Sequence, residues 1–318
     1  MKKACRKAVT ETLLELARED KRIIAVTSDA RGSVTLEEYA KELPEQFIDA
    51  GIAEQNEVGM AAGAASCGMI PFVCAPAPFL SARSLEQIKV DVAYSDFNVK
   101  ICAVSGGVSY GALGGTHHAI YDLAAIRPME NITVLLPADA VSAAFMTRRI
   151  AAAYGPVYMR MGRGAVDVIY NEADTRSFEI GKAFPLRQGR DLTVIACGEM
   201  VSASVKAADI LAREGVFARV LDMHTIKPLD KDAIIAAAIE TGSIVTVEEH
   251  SVVGGLGSAV AEVVVQNAAV PMKFLGIPDE HVVAGESDEV FECYGLTPEG
   301  IAKSVREFLM CKEVADAG

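Results

Sequence analysis

The sequence has no tryptophan, no Cys-x-x-Cys pair and only five histidines. It lacks any run of about 18 uncharged apolar residues, the length a membrane-spanning helix needs. Met1-Lys2-Lys3 is a basic start, but Arg6, Glu11, Glu15 and Arg18 follow where a secretory leader would be apolar. No Gly-x4-Gly-Lys-Ser/Thr segment occurs, which argues against a P-loop nucleotidase. A zinc site needs three or four ligands at suitable spacing. The seven cysteines (Cys5, Cys67, Cys74, Cys102, Cys197, Cys293, Cys311) are scattered, mostly through apolar runs, so no metal site is expected. They read as reduced core thiols of a cytoplasmic protein. Positive charge is in deficit: 30 Lys and Arg against 43 Asp and Glu leave −13. That balance opposes binding to nucleic acid or an anionic membrane surface.

The chain is also rich in apolar residues. They make up 51% of 318 positions, and mean hydropathy is +0.27. At roughly 100–200 residues per domain, two domains are expected. Neither a short-period repeat nor a low-complexity tract is present.

Short apolar runs alternate with amphipathic stretches. Val9, Leu13, Leu16 and Ala17 follow the spacing of one helix face. The spacing predicts strands at Arg22–Thr27, Gln46–Ala50, Ile70–Ala75, Asn98–Val104, Asn131–Leu136 and Pro156–Met159. Helices fit between them at Ala53–Cys67, Ser81–Ser95, Ala119–Met129 and Ala140–Tyr154, the last with Asp139 as N-cap. This βαβα order with near-continuous apolar strands predicts an α/β fold, a parallel sheet with helices on both faces. Residues 167–190 are polar and weakly periodic, and read as a linker between a domain over 1–166 and one over 191–318. The second domain repeats the pattern. Its strands are Leu192–Cys197, Phe217–Asp222, Ser243–Val247 and Met272–Gly276. Its helices are Met200–Glu214, Asp230–Thr241, Gly257–Ala268 and Thr297–Leu309, with Thr297-Pro298 as a helix start. Glu313–Gly318 reads as a loose tail.

Several motifs lie at the carboxyl ends of strands, where α/β proteins bind ligands. Gly254-Gly-Leu-Gly-Ser258 could cradle a phosphate at a helix start, but close strand-to-helix packing explains it better. A glycine-rich loop, Gly106 to Gly115, ends in Thr116-His117-His118. Asp29 and Asp49 follow the first two strands and could be caps or turn residues. Gly51-Ile-Ala-Glu-Gln-Asn56 opens a helix of small residues, Val58–Ala65. By physics alone Glu54 is an acid favoured by a helix amino terminus.

Together these segments resemble the transketolase family, and in particular the C-terminal subunit of a split transketolase. The likeness rests on Gly51-Ile-Ala-Glu54, Gly114-Gly-Thr-His117, Leu135-Leu-Pro-Ala-Asp139, Asp222-Met-His-Thr-Ile-Lys-Pro-Leu229 and Val247-Glu-Glu-His-Ser251 with Gly254–Gly257. It implies a domain that binds the pyrimidine of thiamin diphosphate, followed by a transketolase C-terminal domain. It implies that Glu54 shares a proton with the pyrimidine N1′, its proton affinity raised by a buried interface. Phe79 would stack on the ring, and Asp29 and Gln55 would lie near the cofactor. His117 would bond to a substrate oxygen near C2. Arg163 would bind the substrate phosphate, with Arg160 as the alternative. Ser33, Ser105 and His118 complete the implied substrate set.

The family holds Mg²⁺ and the diphosphate through a Gly-Asp-Gly motif, and this chain has none. The resemblance therefore implies a partner subunit that carries that domain and ligates the metal, in an α2β2 assembly. The Val58–Ala65 and Gly257–Ala268 helices would pack against other subunits. Three positions depart from the family pattern. Leu113 replaces an aspartate that contacts a donor hydroxyl, Ser105 a histidine, and Pro76 an aromatic residue that flanks the pyrimidine. An unpaired hydroxyl is costly, so the expected donor is a branched sugar phosphate such as apulose 4-phosphate, or a sulfonated sugar. A 2-oxo-acid dehydrogenase beta subunit shares the two-domain plan. A non-catalytic nucleotide-binding module built on Gly254–Ser258 is the alternative of a different class.

Overall fold

A computed structural model describes residues 2–171 and 173–316. Seven strands form the first sheet, in the order Thr225–Lys227, Thr133–Leu135, Val157–Met161, Lys100–Val104, Ile70–Pro76, Ile23–Thr27 and Phe47–Asp49. All neighbours are parallel except the first pair. Five strands form the second: Met272–Ile277, Ile244–Ser251, Leu192–Ala196, Ala218–Asp222 and Phe184–Arg187, parallel but for the last. The apolar periodicity thus yields two parallel sheets, each covered by helices. The core forms two apolar layers, and each contains residues of both domains.

Four expectations change. The 167–190 segment is more than a linker. The Ile169 and Tyr170 N–H groups donate to Asp139 at 2.9 and 3.0 Å, and Phe184–Arg187 is the edge strand of the second sheet. The single helix expected at Ser81–Ser95 is instead a short helix, Ala77–Arg83, followed by a π-helical stretch, Ile88–Tyr94. Ser81 and Ser84 donate to the carbonyls of Ala77 and Leu80, a back-bond that bends helices. Of Ala119–Met129 only Asp122–Ile126 is helical, because Ala119 pairs with Gly107 instead. The last helix runs from Pro298 to Asp316, so most of the expected tail is helical; residues 317–318 lie outside the described part. Thr297 Oγ1 accepts from Gly300 N–H at 3.2 Å, as its capping role requires. Asp139 caps Ala140–Ala152 by accepting from Ser142 N–H at 2.8 Å.

Candidate active site

The carboxyl ends of five parallel strands of the first sheet deliver the candidate residues to one side. After Phe47–Asp49 the chain turns through Gly51, whose φ of +69° favours glycine. Asp49 Oδ1 fixes that turn by accepting from Gly51 N–H at 3.1 Å and from Asp29 N–H at 2.9 Å. Glu54 then begins the helix Glu54–Ser66. It is 2% exposed, yet it caps nothing: its Oε2 accepts from Arg83 Nη1 at 2.6 Å. The bland reading as a capping acid therefore fails.

Arg83 lies four residues after Phe79 on Ala77–Arg83, so the two share a face. Its guanidinium sits 4.8 Å from the Phe79 ring centroid. Phe79 meets His117 edge-on at 5.2 Å, and His117 meets Tyr110 edge-on at 5.4 Å. The Arg163 guanidinium lies 4.3 Å from the Tyr110 ring centroid, and its Nη1 donates to the Ser33 carbonyl at 3.5 Å. Arg6 donates to the same carbonyl. Burial lowers the Arg6 pKa, and the Arg163 charge beside it lowers it further. Two guanidiniums crowded on one carbonyl concentrate positive charge here. One row of contacts thus joins Glu54, Phe79, His117, Arg163 and Ser33.

The other candidates fall into two groups. Asp29 and Gln55 are exposed at the edge of this row. Ser105 and His118 are buried, at 1% and 5% exposure, and the Ser105 hydroxyl and both His118 ring nitrogens have no hydrogen-bond partner among the described residues. Burial lowers the His118 pKa. Ser105 has a φ of +65°, a strained position for a residue with a Cβ. Arg160 is not available to a substrate. It is 5% exposed, its Nε lies 3.1 Å from Asp122 Oδ2, and its Nη2 donates to the Glu249 carbonyl at 2.6 Å. The alternating period of a strand explains this: Arg160 lies within Val157–Met161 and points into the domain junction, whereas Arg163 lies beyond its end.

Sequence reasoning missed Arg6, Arg83, Tyr110 and Glu57. Glu57 is one turn beyond Glu54 and fully buried, and neither carboxyl oxygen has a hydrogen-bond partner among the described residues. Burial pushes it up to about 8, with the Glu54 and Asp49 carboxylates adding to the shift. The spacing of Phe79 and Arg83 was the one available signal for any of the four.

The glycine-rich turn of the second domain does not hold phosphate. Glu248 already accepts from Leu256 and Gly257 N–H, each at 2.7 Å, so the chain's own carboxylate fills the helix start. A Cβ at Gly255 would overlap Glu248, and one at Gly257 would press on Phe274. The glycines serve close packing, and the nucleotide-binding module is overturned.

Residues 1–168 match the transketolase pyrimidine-binding domain, and residues 181–301 match the transketolase C-terminal domain. The chain belongs to the transketolase family, whose enzymes depend on thiamin diphosphate. It is 55% identical to one of the subunits of apulose-4-phosphate transketolase from Phocaeicola vulgatus, over 96% of this chain and 97% of that one. It is 38% identical to a 6-deoxy-6-sulfo-D-fructose transketolase subunit from a Clostridium species, over 95% and 93%. A split-gene transketolase solved as an inactive β4 tetramer superposes with a TM-score of 0.87 at 39% identity, over 96% and 98%. Within the family, then, this chain is a ketol-transfer subunit of the split type that acts with a partner chain.

Proposed function

We propose that this chain binds the pyrimidine end of thiamin diphosphate and the donor sugar, and that the donor is a branched or sulfonated ketose. The row of contacts from Glu54 to Arg163 and Arg6 carries the reading. It has a buried carboxylate at one end and paired cations at the other. Arg83 tests the fit: a flat group bearing N–H already lies against the Phe79 ring and donates to Glu54. Those are the two contacts a protonated pyrimidine would make. Bound thiamin diphosphate supplies the nucleophile that carries a two-carbon ketol unit from one sugar to another.

The chain's own groups would then have these tasks. Glu54 holds a proton at N1′, Phe79 takes the ring on its face, and Asp29 and Gln55 flank it. Thr116 Oγ1 lies 2.9 Å from His117 Nδ1. If that hydroxyl donates, Nε2 bears the proton and can donate to the donor oxygen near C2. Arg163 and Arg6 hold the anionic tail, phosphate or sulfonate, near Ser33. Ser105 and His118 offer polar atoms that the protein leaves unpartnered. Leu113 is 48% exposed on the same loop and accepts no hydroxyl, which favours a donor lacking one there. The two relatives are named for apulose 4-phosphate and for 6-deoxy-6-sulfo-D-fructose, which supports this reading.

Mg²⁺ and the diphosphate would be held by the complementary subunit, in an α2β2 assembly. This chain has no Gly-Asp-Gly, and its described residues form no cluster of three His, Cys, Asp or Glu able to hold a metal. Gly59 and Gly63 expose backbone on Glu54–Ser66, beside Ile52 at 76% exposure. Val265 is 70% exposed on Leu256–Asn267. These faces suit partner contacts. The absence of any described helix able to cross a membrane, and the free cysteines, fit a cytoplasmic site.

The test is a donor panel with the complementary chain, thiamin diphosphate and Mg²⁺. Branched or sulfonated donors should exceed xylulose 5-phosphate in kcat/KM by at least about tenfold. A clear preference for xylulose 5-phosphate overturns the donor assignment. Release of CO₂ from pyruvate or a branched 2-oxo acid overturns the sugar chemistry.

A further inference from the structure

The loop from Ser105 to His118 carries Tyr110, Leu113 and His117, yet the second domain holds it at several points. Loops are ordinarily the mobile parts of a fold. Here Gly107 and Ala119 exchange backbone hydrogen bonds of 3.0 and 2.8 Å, joining the two stems. Against that bridge lies Glu249, near the end of Ile244–Ser251. Its Oε1 accepts from Val108 N–H at 2.7 Å. Gly107 has a φ of +61°, and a Cβ there would overlap the Glu249 side chain, so the loop is shaped to seat this carboxylate. Arg160 Nη2 fixes the Glu249 carbonyl at 2.6 Å, and Ser251 N–H donates to the Ile120 carbonyl at 3.0 Å. At the tip, Gly285 N–H donates to the Gly111 carbonyl at 3.3 Å, and Ser287 Oγ donates to the Val108 carbonyl at 3.3 Å.

A buried acid contributes little to stability for its desolvation cost. Burial raises the Glu249 pKa and the Arg160 charge opposes that. Its placement on a single loop amide is better explained by geometry than by stability.

We propose that Glu249 is a positioning residue, through which the second domain sets the loop in the one geometry that presents His117, Tyr110 and Leu113 to the donor. The proposal rests on the reading of this loop as donor-binding. Hydrogen exchange of the full-length chain tests it without reference to activity. Glu249→Ala should speed exchange of amides 108–118 by about tenfold or more, while the amides of helix 54–66 stay within about twofold. Glu249→Gln keeps an acceptor oxygen and should restore most of the protection. With the partner chain, Glu249→Ala should raise donor KM about tenfold with the affinity for thiamin diphosphate unchanged, and Gln should rescue it. Unchanged exchange at 108–118 in Glu249→Ala overturns the proposal, as does a loss of cofactor affinity in step with the rise in KM. Should the alanine variant fail to fold, Ser287→Ala serves instead. It removes one loop contact from the same domain, and unchanged exchange at 108–111 again overturns the idea. If the unaltered loop is protected but no sugar donor is turned over, the donor reading fails while the clamp stands.

Discussion

Glu54 and Glu248 are both buried carboxylates at the start of a helix, one in each domain. Glu54 leaves the backbone alone and pairs with the half-exposed side chain of Arg83. Glu248 is fully engaged by two backbone N–H groups of its own chain. Arg163 and Arg160 repeat the contrast among cations: one stands over Tyr110 near an exposed edge, the other is locked to Asp122 in the domain junction. Residue type and burial alone do not show which of these groups is free to meet a ligand. Between the two acids the difference lies in the partner, a mobile side chain for Glu54 and the main chain for Glu248. Burial pushes Glu248 up to about 7 even with its two N–H donors, so a raised pKa by itself marks no acid as functional.

Four substitutions can break or sharpen this contrast. Glu54→Gln should lower kcat by about 10²–10⁴, as loss of an acid–base group does, with the melting temperature nearly unchanged. Turnover within about twofold of the parent would put Glu54 in the structural class. Glu248→Ala should do the reverse. Two buried N–H groups lose their acceptor, costing about 3 kcal/mol in urea unfolding, with kcat per folded molecule retained. Arg163→Gln should raise donor KM about tenfold to a hundredfold and leave kcat less affected, the loss of a charge-assisted contact. An unchanged KM would return the anion site to Arg6 alone.

The smallest effect belongs to Glu57→Gln and depends on pH. The folded-state pKa is raised to about 8. Glu57 therefore favours folding fully only below its unfolded pKa, and that contribution is lost as pH rises through 8. The glutamine variant should match the parent near pH 5 and melt roughly 3–6 °C higher near pH 8.5. Equal melting at both pH values would mean that the carboxyl finds a partner in solution.

Most strands were legible because both faces of a parallel sheet are buried, which leaves continuous apolar runs such as Ile23–Thr27. Phe79 and Arg163 were singled out only through motif likeness, whereas Glu54 and His117 also stood in segments after strand ends, where α/β proteins bind ligands. Phe184–Arg187 was not legible: it is an edge strand of alternating half-buried and exposed residues, and its partner Ala218–Asp222 comes later in the chain. Thr225–Lys227 was missed for a similar reason, being three residues whose strand character depends on Thr133–Leu135. Arg6 and Glu249 make their contacts with residues far away in sequence, and periodicity carries no information about such pairs. Arg160 stood only as the alternative to Arg163 in the implied phosphate site, and its counter-charge, Asp122, lies on a different element that the sequence does not place beside it.

The Thr225–Lys227 strand has one more consequence. It comes from the second half of the chain and closes the outer edge of the first half's sheet, pairing with Thr133–Leu135. Without it that edge would present free N–H and C=O groups, a template for another chain to add to. The pairing ties the two halves of the chain together at that edge. A fragment cut near residue 180 would gain a sticky margin and would aggregate rather than fold as a free-standing domain.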